Sequence, residues 1–335
     1  MAFIPKNTNP DTQSLISASR SSSAWNKNAT AVNCFKDFDL QSPNNHVWPL
    51  SDASISEFIT WAVMSKKLKS ATVKSYLSAI SLAHKFANLD GSNCSGFMAA
   101  TLLKGAENLE FYSNISGISR KAMSLPLLKI IGHQIAISEW TEDSKMVVWC
   151  ACVVAFFGSF RLGEILCSNE KTYNPSETLL WRDVKIRGDS VLINIKIPKS
   201  RNPKGEFVDL FEFKDNNCCP VNTLKKLKLV KGRSAMEASP VFCFKNNSFL
   251  TPKNLTSTVQ SLLLPVIGDS AKLISGHSFR AGIPSVLSNN PELAKDEDIK
   301  LWGRWGSPSF KKYTRLHMKK IKAIFVKLTS MLNKK

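Results

Sequence analysis

The sequence has little that would hold a metal ion or span a membrane. Eight cysteines are scattered along its 335 residues, but no Cys-x-x-Cys occurs and no histidine falls at a metal spacing, which excludes zinc. The longest apolar run, Met146 to Phe160, is too short for a bilayer and predicts a core helix. Residues 1–5 lack a signal-peptide pattern. We therefore expect no cofactor, no metal, no membrane, and an intracellular protein with free thiols, nuclear if eukaryotic and cytoplasmic or nucleoid-associated if prokaryotic or viral.

Acidic residues are scarce beside basic ones. Lys and Arg number 45 against 26 Asp and Glu, which gives a net charge of +19. The imbalance is greatest at residues 303–335, which contain ten Lys or Arg and no acid. Such clustering favours a polyanionic partner, with double-stranded DNA as the first candidate. A solvated basic face is the alternative.

Composition and periodicity divide the chain into four segments. Residues 1–22 are rich in Asn, Ser, Thr and Pro and predict a mobile N-terminal arm. Residues 23–115 show helical periodicity and predict a helical DNA-binding domain. Residues 116–123 are polar and predict a linker, which leaves residues 124–335 as a second domain.

The segment 23–115 carries a basic edge. Apolar positions recur at helical spacing from Ile55 to Val63 and from Val73 to Ala87, and a third helix is predicted from Phe97 to Leu109. Lysines at helix starts and in loops could contact DNA phosphates without making base-specific contacts, although they could equally be ordinary surface residues. The candidate DNA contacts here are Lys66, Lys67, Lys69 and Lys74.

The segment 124–335 combines helices with a small sheet. From Trp181 the apolar period changes from helix to strand, and residues 198–205 have the composition of a hairpin loop. The predicted strands are Trp181–Ile186, Val191–Ile197 and Phe207–Phe213. The predicted helices are Pro126–Ile137, Trp140–Phe157, Val221–Lys231, Pro252–Leu264, Ser278–Leu287, Asp296–Trp302 and one from Ser309 onward. The expected fold class is mainly α with a small antiparallel β-sheet (α+β).

A series of polar residues in this segment suits phosphodiester chemistry. Two arginines, Arg161 and Arg280, could each fork onto the nonbridging oxygens of a phosphate. His277 precedes Arg280 by three residues and could move a proton near neutral pH. Tyr313 follows in a strongly basic setting and could act as a nucleophile.

The order of these residues resembles the catalytic domain of the tyrosine recombinases, the phage-integrase family. Arg161 comes first, Lys199 on the hairpin second, His277 with Arg280 third, and Trp305 with Tyr313 last. By motif the resemblance covers residues 124–335. It extends to residues 23–115 only through a helical, basic layout similar to the family's core-binding domain. The Gly-Arg-Trp at 303–305 resembles recombinases of eukaryotic mobile elements of the Crypton and DIRS types.

The resemblance implies a role for each residue. Arg161 and Arg280 would hold the phosphate, and His277 would act as general acid or base. Lys199 would protonate the leaving 5′-oxygen, although Lys196 and Lys204 are near enough in sequence to be mistaken for it. Tyr313 would be the nucleophile.

Two further positions complete the implied site. Glu164, three residues after Arg161, would orient that arginine or another basic group, with a simple helical salt bridge as the alternative. Trp305 stands where the family has His or Trp, but it lies eight residues before Tyr313, whereas nine is usual and Arg304 sits at nine. Either residue could fill this sixth catalytic position. Arg304, Lys311 and Lys312 are also candidate DNA contacts.

The implied function is site-specific DNA recombination through a 3′-phosphotyrosyl intermediate and a Holliday junction, without metal or ATP. It would serve mobile-element integration or excision, as a homotetramer with a dimer on each DNA site. The apolar face of the C-terminal tail would dock on a neighbouring protomer, or else on its own domain. The alternatives are a catalytically silent DNA-binding protein of the same fold and a type IB topoisomerase.

Overall fold

The computed structural model describes residues 9–113, 121–196, 206–215, 217–232, 237–288, 293–304, 322 and 324–331. The chain divides into two compact units, Met1–Ile118 and Ser119–Lys335. Their boundary falls inside the stretch 116–123 that was predicted as a linker. Within the described ranges, no helix is both long enough and apolar enough to cross a membrane.

The first unit is helical throughout its described residues. A π-helical turn, Trp61–Ser65, extends α3, and a 3₁₀ turn, Ser92–Ser95, precedes α5. The α-helices are α1 (Pro10–Ala18), α2 (Ser22–Gln41), α3 (Asp52–Thr60), α4 (Ser70–Phe86) and α5 (Phe97–Ser113). Helix α1 lies inside the segment predicted as an arm. It begins there because the Asn9 side chain accepts a hydrogen bond from the Asp11 amide at 2.9 Å and Pro10 suits the first helical position.

The core of the first unit joins α2, α3 and α4. Phe35 and Phe38 of α2 pack against Phe58 of α3, with ring centroids 5.3 and 5.6 Å apart. The apolar faces predicted for α3 and α4 are buried, as Ile55 and Val73 illustrate. The opposite surface between these helices is basic, and Lys66, Lys67, Lys69 and Lys74 are all exposed.

The second unit contains the remaining helices and the sheet. Short 3₁₀ segments occur at Trp181–Asp183 and Gly268–Leu273. The helices are α6 (Leu125–Ile137), α7 (Glu142–Phe157), α8 (Leu162–Ile165), α9 (Pro220–Lys231), α10 (Pro252–Ile267), α11 (Gly276–Ser288) and α12 (Asp296–Trp302). The expected class, mainly α with a small antiparallel sheet, is confirmed.

Helix α7 is the centre of the second unit. The side chain of Thr141 caps it by accepting from the Ser144 amide at 3.3 Å, and its last eight residues, 150–157, are all buried. Helix α11 packs closely on α7 at Gly282, where a Cβ would lie 2.6 Å from the Phe156 ring. A side chain at position 282 would therefore push α11 away from α7.

The sheet is a three-stranded antiparallel meander, with β1 (Val184–Arg187), β2 (Ser190–Ile195) and β3 (Glu206–Phe211). Residues 191, 193 and 195 of β2 face the core, which confirms the predicted alternation. The first strand starts later than predicted. Trp181–Asp183 forms a 3₁₀ turn because the Asp183 carboxylate accepts from the Leu180 amide at 2.9 Å.

Residues 324–331, the last that the structure describes, pack on the second unit. Residues 324–331 are helical, and Ile324, Phe325 and Leu328 are buried in the second core. The Phe325 ring stacks on Trp302, with centroids 6.2 Å apart and an interplanar angle of 3°. These apolar side chains are therefore covered within the isolated chain, which agrees with the second of the two alternatives, packing on its own domain.

Candidate anion-binding site

A tight turn after α7 positions the first arginine of the series. Helix α7 ends at Phe157, Ser159 has a left-handed backbone with φ of 45°, and the Phe160 ring is buried beneath the turn. Arg161 then precedes α8, and its amide donates to the Glu164 carboxylate at 2.9 Å. The turn leaves the carbonyls of Gly158 and Ser159 facing the two other arginines of the site.

Glu164 is the acid on which the arginines converge. Its side chain is only 5% exposed. Arg161 Nη1 donates to Oε1 at 2.6 Å, and Arg304 Nη2 donates to Oε2 at 2.7 Å. Arg280 Nη1 lies 3.9 Å from Oε2. One buried carboxylate therefore holds three guanidiniums that come from distant parts of the sequence.

Arg280 is buried within this cluster. It projects from α11, is 1% exposed, and donates to the carbonyl oxygens of Ser159 at 3.1 Å and of Gly303. Burial, together with the neighbouring guanidiniums of Arg304 and Arg161, lowers the pKa of Arg280 to about 10. The like charges of the three guanidiniums oppose one another here, and an added anion would offset that repulsion.

Arg304 follows α12 and turns inward, with a left-handed backbone of φ 51°. Its Nη1 donates to the Gly158 carbonyl at 2.7 Å, and its Cζ lies 4.8 Å from the centroid of the Phe160 ring. The side chain is 7% exposed, so burial lowers the pKa of Arg304 as well. The guanidinium thus lies against Glu164 and the turn, and the DNA contact predicted for Arg304 stays a prediction.

Glu206 is a site residue that the sequence analysis missed. It opens β3 opposite Ile195 of β2, and its Oε2 lies 3.8 Å from Arg304 Nε. Burial raises its pKa. Three guanidiniums and two carboxylates leave the cluster with a net charge of +1 when both acids are ionised. An acid directly after the Lys199 hairpin was the available signal.

Lys196 is excluded as the general acid. Its Nζ donates to the carbonyl oxygens of Pro175 at 2.8 Å and Thr178 at 2.9 Å, and pairs with Asp183 at 2.6 Å. These three contacts use the three protons of the ammonium group and hold it against the start of β1 and the loop before it.

Comparison with known proteins identifies the fold. No protein-family model matches the sequence, and no curated protein matches it. A crystal structure of XerH site-specific recombinase bound to palindromic difH substrate, a post-cleavage complex, superposes with a TM-score of 0.54. The identity is 15%, over 86% of this chain and 78% of that chain. The XerH pre-cleavage complex with difH gives 0.53 at 14% identity, over 87% and 78%.

This is the tyrosine-recombinase fold. At such low identity the likeness concerns the fold alone, so the roles of individual residues rest on the geometry of the cluster. That geometry brings together Arg161, Glu164 and Arg280 of the predicted series and adds Arg304 and Glu206.

The other predicted residues are exposed or lie outside the described residues. The His277 ring, at the start of α11, is exposed. Among the described residues, no three His, Cys, Asp or Glu side chains are grouped so that they could hold a metal ion. Outside the described residues lie Lys199, Lys204, Trp305, Lys311, Lys312 and Tyr313.

The residue types of the cluster could bind a tetrahedral oxyanion. Guanidiniums present planar pairs of N–H groups that match two oxygens of a phosphate. Arg161 is 35% exposed and gives the cluster an open side. Fixed donors in a partly buried site bind a growing negative charge better than water does, because they need no reorganisation.

Proposed function

We propose that the protein is a DNA strand-cleaving and rejoining enzyme, a site-specific tyrosine recombinase. The observation that carries the proposal is the convergence of Arg161, Arg280 and Arg304 on the single buried carboxylate of Glu164. The fold it shares with XerH supports the same reading. The basic surface between α3 and α4 supports DNA as the ligand.

In this mechanism, Tyr313 attacks the scissile phosphate. The phenolic oxygen forms a bond to phosphorus as the bond to the 5′-oxygen breaks, which leaves a 3′-phosphotyrosyl link and a 5′-hydroxyl. His277 takes the phenolic proton, and Lys199 gives a proton to the departing oxygen. Arg161 and Arg280 stabilise the negative charge of the pentacoordinate transition state, and the nearby positive charge of Arg304 adds to this stabilisation. Rejoining reverses these steps with the 5′-hydroxyl of the partner strand, so the phosphodiester energy is kept.

Strand exchange between two duplexes requires several active sites at once. We therefore propose a homotetramer, with a dimer on each DNA site, that acts through a Holliday-junction intermediate. The proposed role is mobile-element integration or excision. We also propose that the protein is related to the recombinases of Crypton- or DIRS-type elements and that it is nuclear in a eukaryotic host. Their support is the Gly-Arg-Trp sequence at 303–305.

The test is covalent trapping on DNA. The protein is mixed with supercoiled plasmid that carries the ends of its own element, and the reaction is quenched with SDS. We expect a protein–DNA adduct in wild type and none in Tyr313→Phe, since only the phenol can form the link. Tyr173→Phe is the matched control, because its hydroxyl donates to the Ala238 carbonyl at 3.3 Å.

Each other outcome selects a different function. DNA binding without an adduct, even on nicked substrates that trap the covalent state, would leave a silent DNA-binding protein. An adduct with relaxation of plasmids of any sequence, and no strand exchange, would indicate a type IB topoisomerase. An adduct that persists in Tyr313→Phe would show that another tyrosine is the nucleophile.

A further inference from the structure

Glu206 faces the arginine cluster from the sheet side. It is the first residue of β3 and pairs with Ile195, the last residue of β2, so the ladder fixes its backbone. Its side chain is 33% exposed, and Oε2 lies 3.8 Å from Arg304 Nε. No step of the mechanism above uses this carboxylate, and a second acid in an anion site opposes anion binding.

The contact between Glu206 and Arg304 is incomplete. At 3.8 Å the two atoms form an ion pair but no hydrogen bond. Arg304 Nε is buried, and within the described part of the chain it has no hydrogen-bond partner. A buried N–H without an acceptor is unfavourable, so an oxygen placed near Nε would be bound well. The Glu206 carboxylate lies near this donor but is too far away to accept a hydrogen bond from it.

We propose that Glu206 is an internal competitor for the phosphate site, which binds an oxyanion tightly only when this carboxylate is protonated or displaced. The inference rests on the proposed function, because it assumes that the arginine cluster is where the phosphate binds. Glu206 would then hold the site in a low-affinity state until DNA enters it. Non-productive binding of free anions would be suppressed at neutral pH.

The competition makes anion binding dependent on pH. Glu206 faces the guanidiniums of Arg304, Arg280 and Arg161 and the carboxylate of Glu164. Burial raises its pKa, the Glu164 charge raises it further, and the Arg304 guanidinium opposes both. A bound anion would raise the pKa again, so binding takes up a proton. Affinity therefore increases as the pH falls through the Glu206 pKa.

The experiment measures sulfate binding to the full-length protein. Sulfate is tetrahedral and keeps its charge between pH 5 and 8. Binding is followed by calorimetry and by the rise in unfolding temperature, at ionic strength matched with NaCl. Glu206→Gln is compared with Asp209→Asn, which removes the same charge from the same strand but three residues on, where the side chain lies on the other face of the sheet. Arg161→Gln identifies binding at the cluster.

The expected result has two parts. At pH 7.5, Glu206→Gln binds sulfate about five- to tenfold more tightly than wild type, on the scale of one screened charge pair, and Asp209→Asn does not differ from wild type. Between pH 7.5 and 5 the affinity rises in a His277→Gln background, and it stays flat once Glu206→Gln is added. The His277 substitution is included because histidines titrate in this range.

Other results distinguish a failure of the competitor role from a failure of the proposed function. Arg161-dependent binding that is equal in wild type and Glu206→Gln overturns the competitor role and leaves the proposed function standing. An increase that Asp209→Asn shares reflects net charge alone and also overturns it. Absence of Arg161-dependent sulfate binding in every variant, each shown to be folded by circular dichroism, overturns both.

Discussion

Glu164 and Arg304 are 140 positions apart in the sequence, and their side chains meet in a 2.7 Å ion pair. The same carboxylate binds Arg161 at 2.6 Å. One acid therefore ties the turn after α7 to the end of α12 and fixes both guanidiniums relative to each other. We infer that assembly of the anion site depends on Glu164, which the resemblance had assigned to orienting Arg161 or another basic group.

Replacement of Glu164 by Gln should impair both stability and cleavage. The change leaves three guanidiniums close together without their shared counter-ion. We expect the free energy of unfolding to fall by about 3 kcal/mol, as for other broken buried ion pairs. We expect adduct formation to slow by about 100-fold or more, because the phosphate ligands lose their positions. Urea unfolding and SDS trapping measure the two effects.

Glu142→Gln is the matched control. Glu142 also pairs with a base three residues away, Lys145, at 3.0 Å, but its side chain is exposed. That change should cost about 0.5 kcal/mol or less. Added sulfate should restore more stability to Glu164→Gln than to the control, because the anion replaces the missing charge. Equal recovery in both variants would contradict the shared-anchor account.

The choice between Arg304 and Trp305 for the sixth position is open to a direct comparison. We expect Arg304→Gln to slow adduct formation by about 100-fold or more, because a guanidinium in contact with Glu164 is lost beside the phosphate. We expect Trp305→Phe to slow it by less than about tenfold, since the ring retains its apolar bulk. Single-turnover trapping rates on a nicked substrate give both values.

Arg304→Lys tests whether the positive charge at position 304 is sufficient or the guanidinium geometry is required. Lysine keeps the charge but cannot donate at once to the Gly158 carbonyl and the Glu164 carboxylate with planar geometry. It should therefore recover only a small part of the lost rate. The assignment of Arg304 would be wrong if Trp305→Phe proved the more damaging change in a folded protein.

The fold was predictable from the sequence because its signals are local. The apolar faces of α3 and α4 and the alternation of β2 depend on spacing within one element, and the structure confirms them. The arginine cluster depends on contacts between residues more than 100 positions apart, such as Ser159 with Arg280. Polar composition did not indicate helix α1 at Pro10–Ala18, because its signals, the Asn9 cap and a proline at the first turn, are local ones. That residues 1–22 form a mobile arm stays a prediction.

The ion pair of Lys231 with Asp143 gives a stability prediction away from the site. The two side chains are buried and 2.6 Å apart, and Asp143 also accepts from the Lys245 amide at 2.9 Å. We expect Lys231→Met to lower the free energy of unfolding by about 3 kcal/mol, because it leaves a buried carboxylate without its counter-ion. Lys272→Met, which breaks an exposed pair with Asp269, should leave the midpoint of the same urea titration nearly unchanged.

The general-acid role of Lys199 can be tested through the leaving group. We expect Lys199→Met to slow adduct formation by about 100-fold or more on an ordinary substrate, because the 5′-oxygen leaves without a proton. A substrate with sulfur in place of the bridging 5′-oxygen should restore the rate to near that of wild type. A thiolate is a far weaker base than an alkoxide and needs no proton to depart.

This rescue distinguishes proton donation from phosphate binding. Arg280→Gln should stay slow on the sulfur substrate, since its defect concerns the nonbridging oxygens. Lys204→Met is the control within the same hairpin and should cleave both substrates at nearly the wild-type rate. If Lys204→Met is the variant that the sulfur substrate rescues, the general acid is Lys204. Lys196 has no part in that choice, because the carbonyl oxygens of Pro175 and Thr178 and the Asp183 carboxylate already hold its ammonium group.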